Sequence, residues 1–154
     1  VQGNVLRLTL LRAPTHPDPE ADQGEHTFTY SLYPHEGDWR NGTAREAYAL
    51  NDPLIVRRVN GGDGRGDLRS LVSVDVGHVI VETVKQAEDG NGLIVRLYEY
   101  ERKRGTVRLT TGIKVSAAYR CNLLEEVQEE LPLEDGVVVL GVRPYRIMTV
   151  RLCY

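Results

Sequence analysis

Apolar and polar positions alternate along most of this chain with a period of two, the signature of strands that bury one face. "NVLRLTLL" puts Leu6, Leu8 and Leu10 on one side, and "HTFTYSL" puts His26, Phe28, Tyr30 and Leu32 on one side with Thr27, Thr29 and Ser31 on the other. "HVIVETVKQ" and "LIVRLYEYE" are separated by "AEDGNG", where Asp89-Gly90-Asn91-Gly92 tolerates positive φ and predicts a hairpin turn. "TVRLTT" and "IKVSAAY" flank Gly105 and Gly112; "GVVVLGV" follows the turn signal Glu134-Asp135-Gly136; "YRIMTVRL" follows Arg143-Pro144. One segment departs from this period. "DWRNGTAREAYALN" spaces Trp39, Thr43, Ala47 and Leu50 as a helix does, Gly42 weakens its first turn, and Asn51-Asp52-Pro53 stops it. Asn60–Asp67, "NGGDGRGD", reads as a loop between strands.

About nine short strands with one short helix predict a mainly β fold, an antiparallel β-sandwich, with a barrel as the alternative. A parallel sheet would need crossover helices that the pattern lacks. The 154 residues suit a single domain over 1–154 with one hydrophobic core. Nineteen basic residues against 22 acidic ones leave a net charge of -3, so no nucleic-acid partner is implied. The short basic run "ERKRG" (Glu101–Gly105) reads as a hairpin tip. Cys121 and Cys153 are too few for a disulfide framework and read as small buried residues. No apolar run approaches the ~20 residues of a membrane helix. The chain opens on Val1 and enters a strand pattern almost at once, as a fragment of a longer protein would.

Candidate chemistry concentrates in Arg12–Trp39, which holds His16, His26 and His35 among many acids. Zinc needs three or four convergent ligands, and His26, alternating with Phe28 and Tyr30, reads as a packed, hydrogen-bonded strand residue. "DPEAD" (Asp18–Asp22) lacks the glycine and terminal glutamate of a calcium loop and reads as a solvated acidic loop stiffened by Pro14, Pro17 and Pro19. Carboxylates are too numerous for a glycosidase pair to be chosen. No G-x-S-x-G and no cysteine in an activating context is present, and "GGDGRG" has no Walker lysine. Arg65-Gly66-Asp67 and the sequon Asn41-Gly42-Thr43 are short matches without supporting context. Flat rings stack on sugars, which makes Trp39, Tyr30, Tyr33, Tyr98 and Tyr100 candidates, although packing of the core or rim is the favoured reading of such rings.

"GNVLRLTLLRAPTHPDPEADQGEHTFTYSLYPHEGDW", "VKQAEDGNGLIVRLYEYERKRGTVRL", "CNLLEE" and "RPYRIMTVRL", in that order, resemble the C-terminal region of the family 38 glycoside hydrolases, the α-mannosidases, in their bacterial-type branch. The resemblance runs from Gly3 to Leu152. It implies a sandwich of the galactose-mutarotase-like, glycosidase C-terminal type. Enzymes of that family hydrolyse terminal α-mannosides with retention, using two aspartates and a zinc ion in an N-terminal α/β barrel. None of those motifs occurs here. No catalytic residue and no metal ligand is therefore assigned, and zinc is expected in the missing catalytic domain. Trp39, Tyr33 and His16 are the candidate carbohydrate contacts at a sugar-site rim. The expected partners are the N-terminal catalytic barrel domain of the same enzyme and carbohydrate, with no nucleic acid and no membrane. An apolar face exposed on the isolated sandwich, with a homo-oligomer formed through it, is a further expectation. A stand-alone carbohydrate-binding module is the alternative function, and an adhesion sandwich ranks third. Two cysteines without a secretion signal favour a bacterial cytoplasm.

Overall fold

The structure, a computed structural model, describes residues 3–58, 60 and 69–154. The chain divides into two compact units, 1–58 and 59–154.

The second unit carries nine strands: β1 (Val72–Val74), β2 (Val79–Gln86), β3 (Leu93–Glu99), β4 (Gly105–Thr111), β5 (Ala117–Cys121), β6 (Val127–Glu130), β7 (Leu133–Glu134), β8 (Val137–Val142) and β9 (Ile147–Cys153). They form two antiparallel sheets, ordered β1-β4-β8-β7 and β2-β3-β9-β5-β6. One apolar cluster joins them, built from Val95 and Leu97 of β3, Val107 and Leu109 of β4, Val138 and Leu140 of β8, and Met148, Val150 and Leu152 of β9. Burying each such side chain contributes about 1.5–3 kcal/mol, and the alternation read in the sequence selects these residues. The sandwich is thus the predicted fold.

Turn chemistry sets the register. Gly90 and Gly92 lie at φ 75 and 93 in the β2–β3 hairpin. A Cβ on Gly92 would stand 2.3 Å from the Leu152 carbonyl oxygen, so the turn needs glycine for space as well as for φ. Asp135 and Gly136, at φ 50 and 76, close the β7–β8 hairpin as the turn signal there predicts.

One irregularity directs side chains. Val81 pairs with Leu97 and Thr83 with Arg96, which leaves Glu82 as an extra residue in β2. Such a bulge moves every later side chain to the opposite face. Lys85, opposite Ile94, therefore points out of the sandwich instead of into it.

Two expectations about the sandwich are corrected, and a third cannot be placed. "ERKRG" is not a hairpin tip: it joins β3 in one sheet to β4 in the other, an arch between layers. Cys153 is half-buried and only Cys121 is fully buried; both are free thiols. The Asn60–Asp67 loop, with Arg65-Gly66-Asp67, lies outside the described residues apart from Asn60.

The first unit holds α1 (Thr43–Asn51), shorter than the Asp38–Asn51 pattern because Gly42, at φ 87, occupies its N-cap. The strands expected in "NVLRLTLL" and "HTFTYSL" are not formed: Val5 is a single bridge residue and 6–11 and 26–32 belong to no ladder. Alternation specifies a face, but a ladder also needs a neighbouring strand. His26 is accordingly exposed rather than packed in a core; its Nε2 lies 2.8 Å from the Asp22 carbonyl oxygen and its ring stacks on Phe28.

Candidate functional site

The densest polar chemistry of the sandwich lies on the outer face of the five-stranded sheet. The register puts Ile94, Arg96, Thr149, Arg151 and Cys121 on that face, opposite the core residues Val95 and Val150. Ile94, Thr149, Arg151 and Cys121 are nonetheless buried, because the segment between β5 and β6 lies across them. Asn122 shapes that segment: its Oδ1 accepts the N–H groups of Leu124 and Glu126 at 2.9 and 3.0 Å. Glu125 takes a left-handed φ of 68.

Three cations from three strands hold the segment down. Lys85 donates to Glu125 Oε1 at 2.7 Å, Arg96 to the Leu123 carbonyl at 2.9 Å, and Arg151 to the Glu125 carbonyl at 3.0 Å. The second Glu125 oxygen accepts the Glu88 N–H at 2.8 Å. Arg151 also pairs with Asp89 at 2.6 Å, and Lys85 with Glu88. The Lys85 hydrogen bond holds the Glu125 carboxyl below the ordinary range, and Arg151 does the same for Asp89. Lys85 is raised in turn, first by Glu125 and then by Glu88. Burial pushes the Cys121 thiol up, against the opposing pull of the Arg151 charge. Among the described residues the Nε atoms of Arg96 and Arg151 are the buried side-chain polar atoms without a hydrogen-bond partner.

A second carboxylate organises the far end of the same sheet. Glu99 closes β3 on the core side, opposite Val79, and is 1% exposed. Its Oε1 accepts the N–H groups of Glu101 and Lys103 at 2.8 and 2.9 Å; its Oε2 accepts those of Arg102 and Tyr145 at 3.1 and 2.9 Å. Burial raises its pKa, and four backbone donors outweigh that, so the carboxyl is lowered on balance. One buried anion thus fastens the inter-sheet arch to the β8–β9 turn.

None of this is poised for proton transfer. A glycosidase acid must hold its proton near neutral pH, which requires a raised pKa. Among the described residues the shifted carboxyls, Asp89, Glu99 and Glu125, are all lowered. Their lone pairs face the protein's own donors. Among the described residues no three His, Cys, Asp or Glu side chains gather as a metal site.

The candidate carbohydrate contacts lie in the first unit. Tyr33 stacks on His35 at 5.1 Å, and the Arg40 guanidinium lies over the Trp39 ring at 5.3 Å. Both rings are exposed. His16 is exposed in the proline-stiffened loop, without a hydrogen bond among the described residues. The acidic loop closes on itself, with Asp18 Oδ1 accepting the Glu20 N–H at 2.9 Å. Sequence reasoning passed over Lys85, Arg96, Arg151, Glu125 and Glu99. The available signal was a charge inside an apolar strand, as in "LIVRLYE" and "IMTVRLC". The bulge that turns Lys85 outward left no signal.

Fold and site together define an antiparallel β-sandwich domain whose ionised side chains fasten its own loops. Residues 78–150, within the sandwich, match the glycosyl hydrolases family 38 C-terminal beta sandwich domain. The chain is similar to alpha-mannosidase 2C1 of Mus musculus, 39% identical over 99% of this chain and 15% of that protein. It is 37% identical to alpha-mannosidase 2C1 of Homo sapiens over the same shares. Alpha-mannosidase G of Dictyostelium discoideum is 32% identical over 97% of this chain and 14% of that protein. The chain therefore spans about 15% of the length of the relatives it matches.

Proposed function

We propose that this chain is the non-catalytic C-terminal β-sandwich of a larger α-mannosidase, the whole of which hydrolyses terminal α-mannosides. Its partner is the catalytic barrel domain of the same polypeptide, which supplies the acid, the nucleophile and the zinc. The sandwich contributes structural support and a rigid rim. The observation that carries this reading is one of proportion: 97–99% of the chain matches 14–15% of each of three α-mannosidases. The lowered, internally bonded carboxylates support it, because a supporting domain needs ionised anchors and a glycosidase acid needs the reverse. The test is hydrolysis of a chromogenic α-mannoside. The polypeptide carrying this chain is expected to turn it over, and the 154-residue chain alone is expected to be inert with or without zinc.

The exposure of Trp39 and Tyr33 supports a second reading, a sugar contact at these rings together with His16. Calorimetric titration with mannosides tests it: a signal lost in Trp39→Ala supports the contact, and no heat at millimolar sugar removes it.

A further inference from the structure

Three asparagines of this chain precede glycine: Asn41, Asn60 and Asn91. Asparagine is a labile residue, and a following glycine, having no Cβ, leaves its backbone nitrogen unshielded against the asparagine side-chain carbonyl. Gly61, of the second pair, lies outside the described residues. The other two pairs differ. At Asn41 both reacting groups are engaged: its Nδ2 donates to the Glu36 carbonyl at 2.8 Å, and the Gly42 N–H donates to the Arg40 carbonyl at 2.9 Å. At Asn91 neither is engaged. Its side chain is exposed and makes no hydrogen bond among the described residues, and the Gly92 N–H makes no backbone hydrogen bond among them. The bond that Asn91 makes comes from its own N–H, to Asp89 Oδ1 at 2.9 Å.

We propose that Asn91–Gly92 is a site of spontaneous covalent modification, an age mark in the β2–β3 hairpin. The Gly92 nitrogen attacks Cγ of Asn91. The N–Cγ bond forms, the Cγ–Nδ2 bond breaks, and Nδ2 leaves as ammonia carrying the Gly92 proton. Water then opens the five-membered imide. Attack at one carbonyl gives an aspartate with a normal backbone; attack at the other gives an isoaspartate, whose chain runs through the side chain and is one methylene longer. Neither step needs an oxidant, a reductant or an enzyme.

The surroundings decide what the mark does. Gly92 is buried, and a Cβ there would clash with the Leu152 carbonyl oxygen, so the turn has no room for an inserted methylene. Asp89, which holds the Asn91 N–H, also holds Arg151 at 2.6 Å, and Arg151 holds the Glu125 carbonyl at 3.0 Å. The isoaspartyl form therefore loosens the hairpin turn and, through Asp89 and Arg151, the 122–126 segment. An aspartate with a normal backbone adds only an exposed charge.

Peptide mapping of the intact polypeptide, aged at mildly alkaline pH, tests this. The peptide spanning Asn91 is expected to gain the mass of an acid in place of an amide. It should also accept a methyl group from S-adenosylmethionine through an isoaspartyl methyltransferase, while the Asn41 peptide keeps its amide. Amide exchange in 87–93 and 122–126 should be about tenfold faster in the isoaspartyl fraction than in unaged protein. Fresh Asn91→Asp, which carries the charge without the methylene, should exchange as the unaged protein does. An Asn91 peptide that keeps its amide after the urea-unfolded chain has converted overturns the proposal. Conversion of Asn41 as fast as Asn91, or an isoaspartyl fraction that exchanges as slowly as unaged protein, overturns it as well.

Discussion

Replacing Glu99 by glutamine removes one charge and exchanges one acceptor oxygen for an NH2 group at a site where every neighbour is a donor. The retained oxygen can serve one pair of N–H groups, Glu101 and Lys103 or Arg102 and Tyr145. The other pair then faces an amide that also donates. Leaving a buried donor unsatisfied costs about 1–3 kcal/mol. Two such donors, partly relieved by movement of the arch, put Glu99→Gln at about 2–4 kcal/mol. For a domain of this size that lowers the melting temperature by roughly 5–15 °C. The assay is thermal or urea unfolding at neutral pH, followed by the same curves on acidification. The sign follows from the lowered pKa: the folded state holds the carboxylate more readily than the unfolded state, so the stabilisation is complete above the ordinary carboxylate range and is lost as pH falls through the folded value. The wild type should therefore lose stability in acid more steeply than Glu99→Gln, and the two curves should converge there. A neutral-pH difference below about 0.5 kcal/mol, within the usual scatter of a surface substitution, refutes the clasp as an anchor.

The other predictions concern the loop network and the turns. Arg151→Met removes the donor to the Glu125 carbonyl and should cost about 1–3 kcal/mol, with the half-exposed Asp89 pair adding little; chemical denaturation reads it. Glu125→Gln loses the ionised acceptor for Lys85 and should speed amide exchange in residues 122–126 while leaving β3 and β4 protected. Gly92→Ala should be among the most damaging single substitutions, with about 1–3 kcal/mol from φ strain and the clash with the Leu152 carbonyl oxygen added to it. Gly141→Ala, where nothing lies within 4 Å of the added carbon, should change stability little under the same urea titration.

The residues that alternate in β3, β4, β8 and β9 are the residues that pack, because one buried face is all that a two-layer sandwich asks of a strand. The turns at Asp89–Gly92 and Glu134–Gly136 were legible for the same local reason: positive φ selects residue types. What escaped was non-local. The arch from Glu99 to Gly105 looks like a hairpin until sheet membership is known. The Glu82 bulge, which decides where Lys85 points, has no compositional mark. β9 is buried at five successive positions, Met148 to Leu152, because the 122–126 segment covers its second face; alternation alone predicts that Thr149 and Arg151 are wet. In the first unit the opposite happened, since "LRLTLL" and "HTFTYSL" state a strand but not its neighbour. Of the site, the histidines and acids of Arg12–Trp39 drew the eye by density, while the anchors that matter to the sandwich sit singly on separate strands.

The central claim is that this chain supports an α-mannosidase without performing its chemistry. The most direct measurement is kcat of the intact polypeptide after Asp89, Glu99 and Glu125 are changed, one at a time, to their amides, with the folded fraction measured in parallel. Stability should fall while kcat per folded molecule stays within about threefold of wild type, far from the losses that removing a catalytic group produces. A loss of kcat of about a hundredfold or more in a fully folded variant would contradict the account.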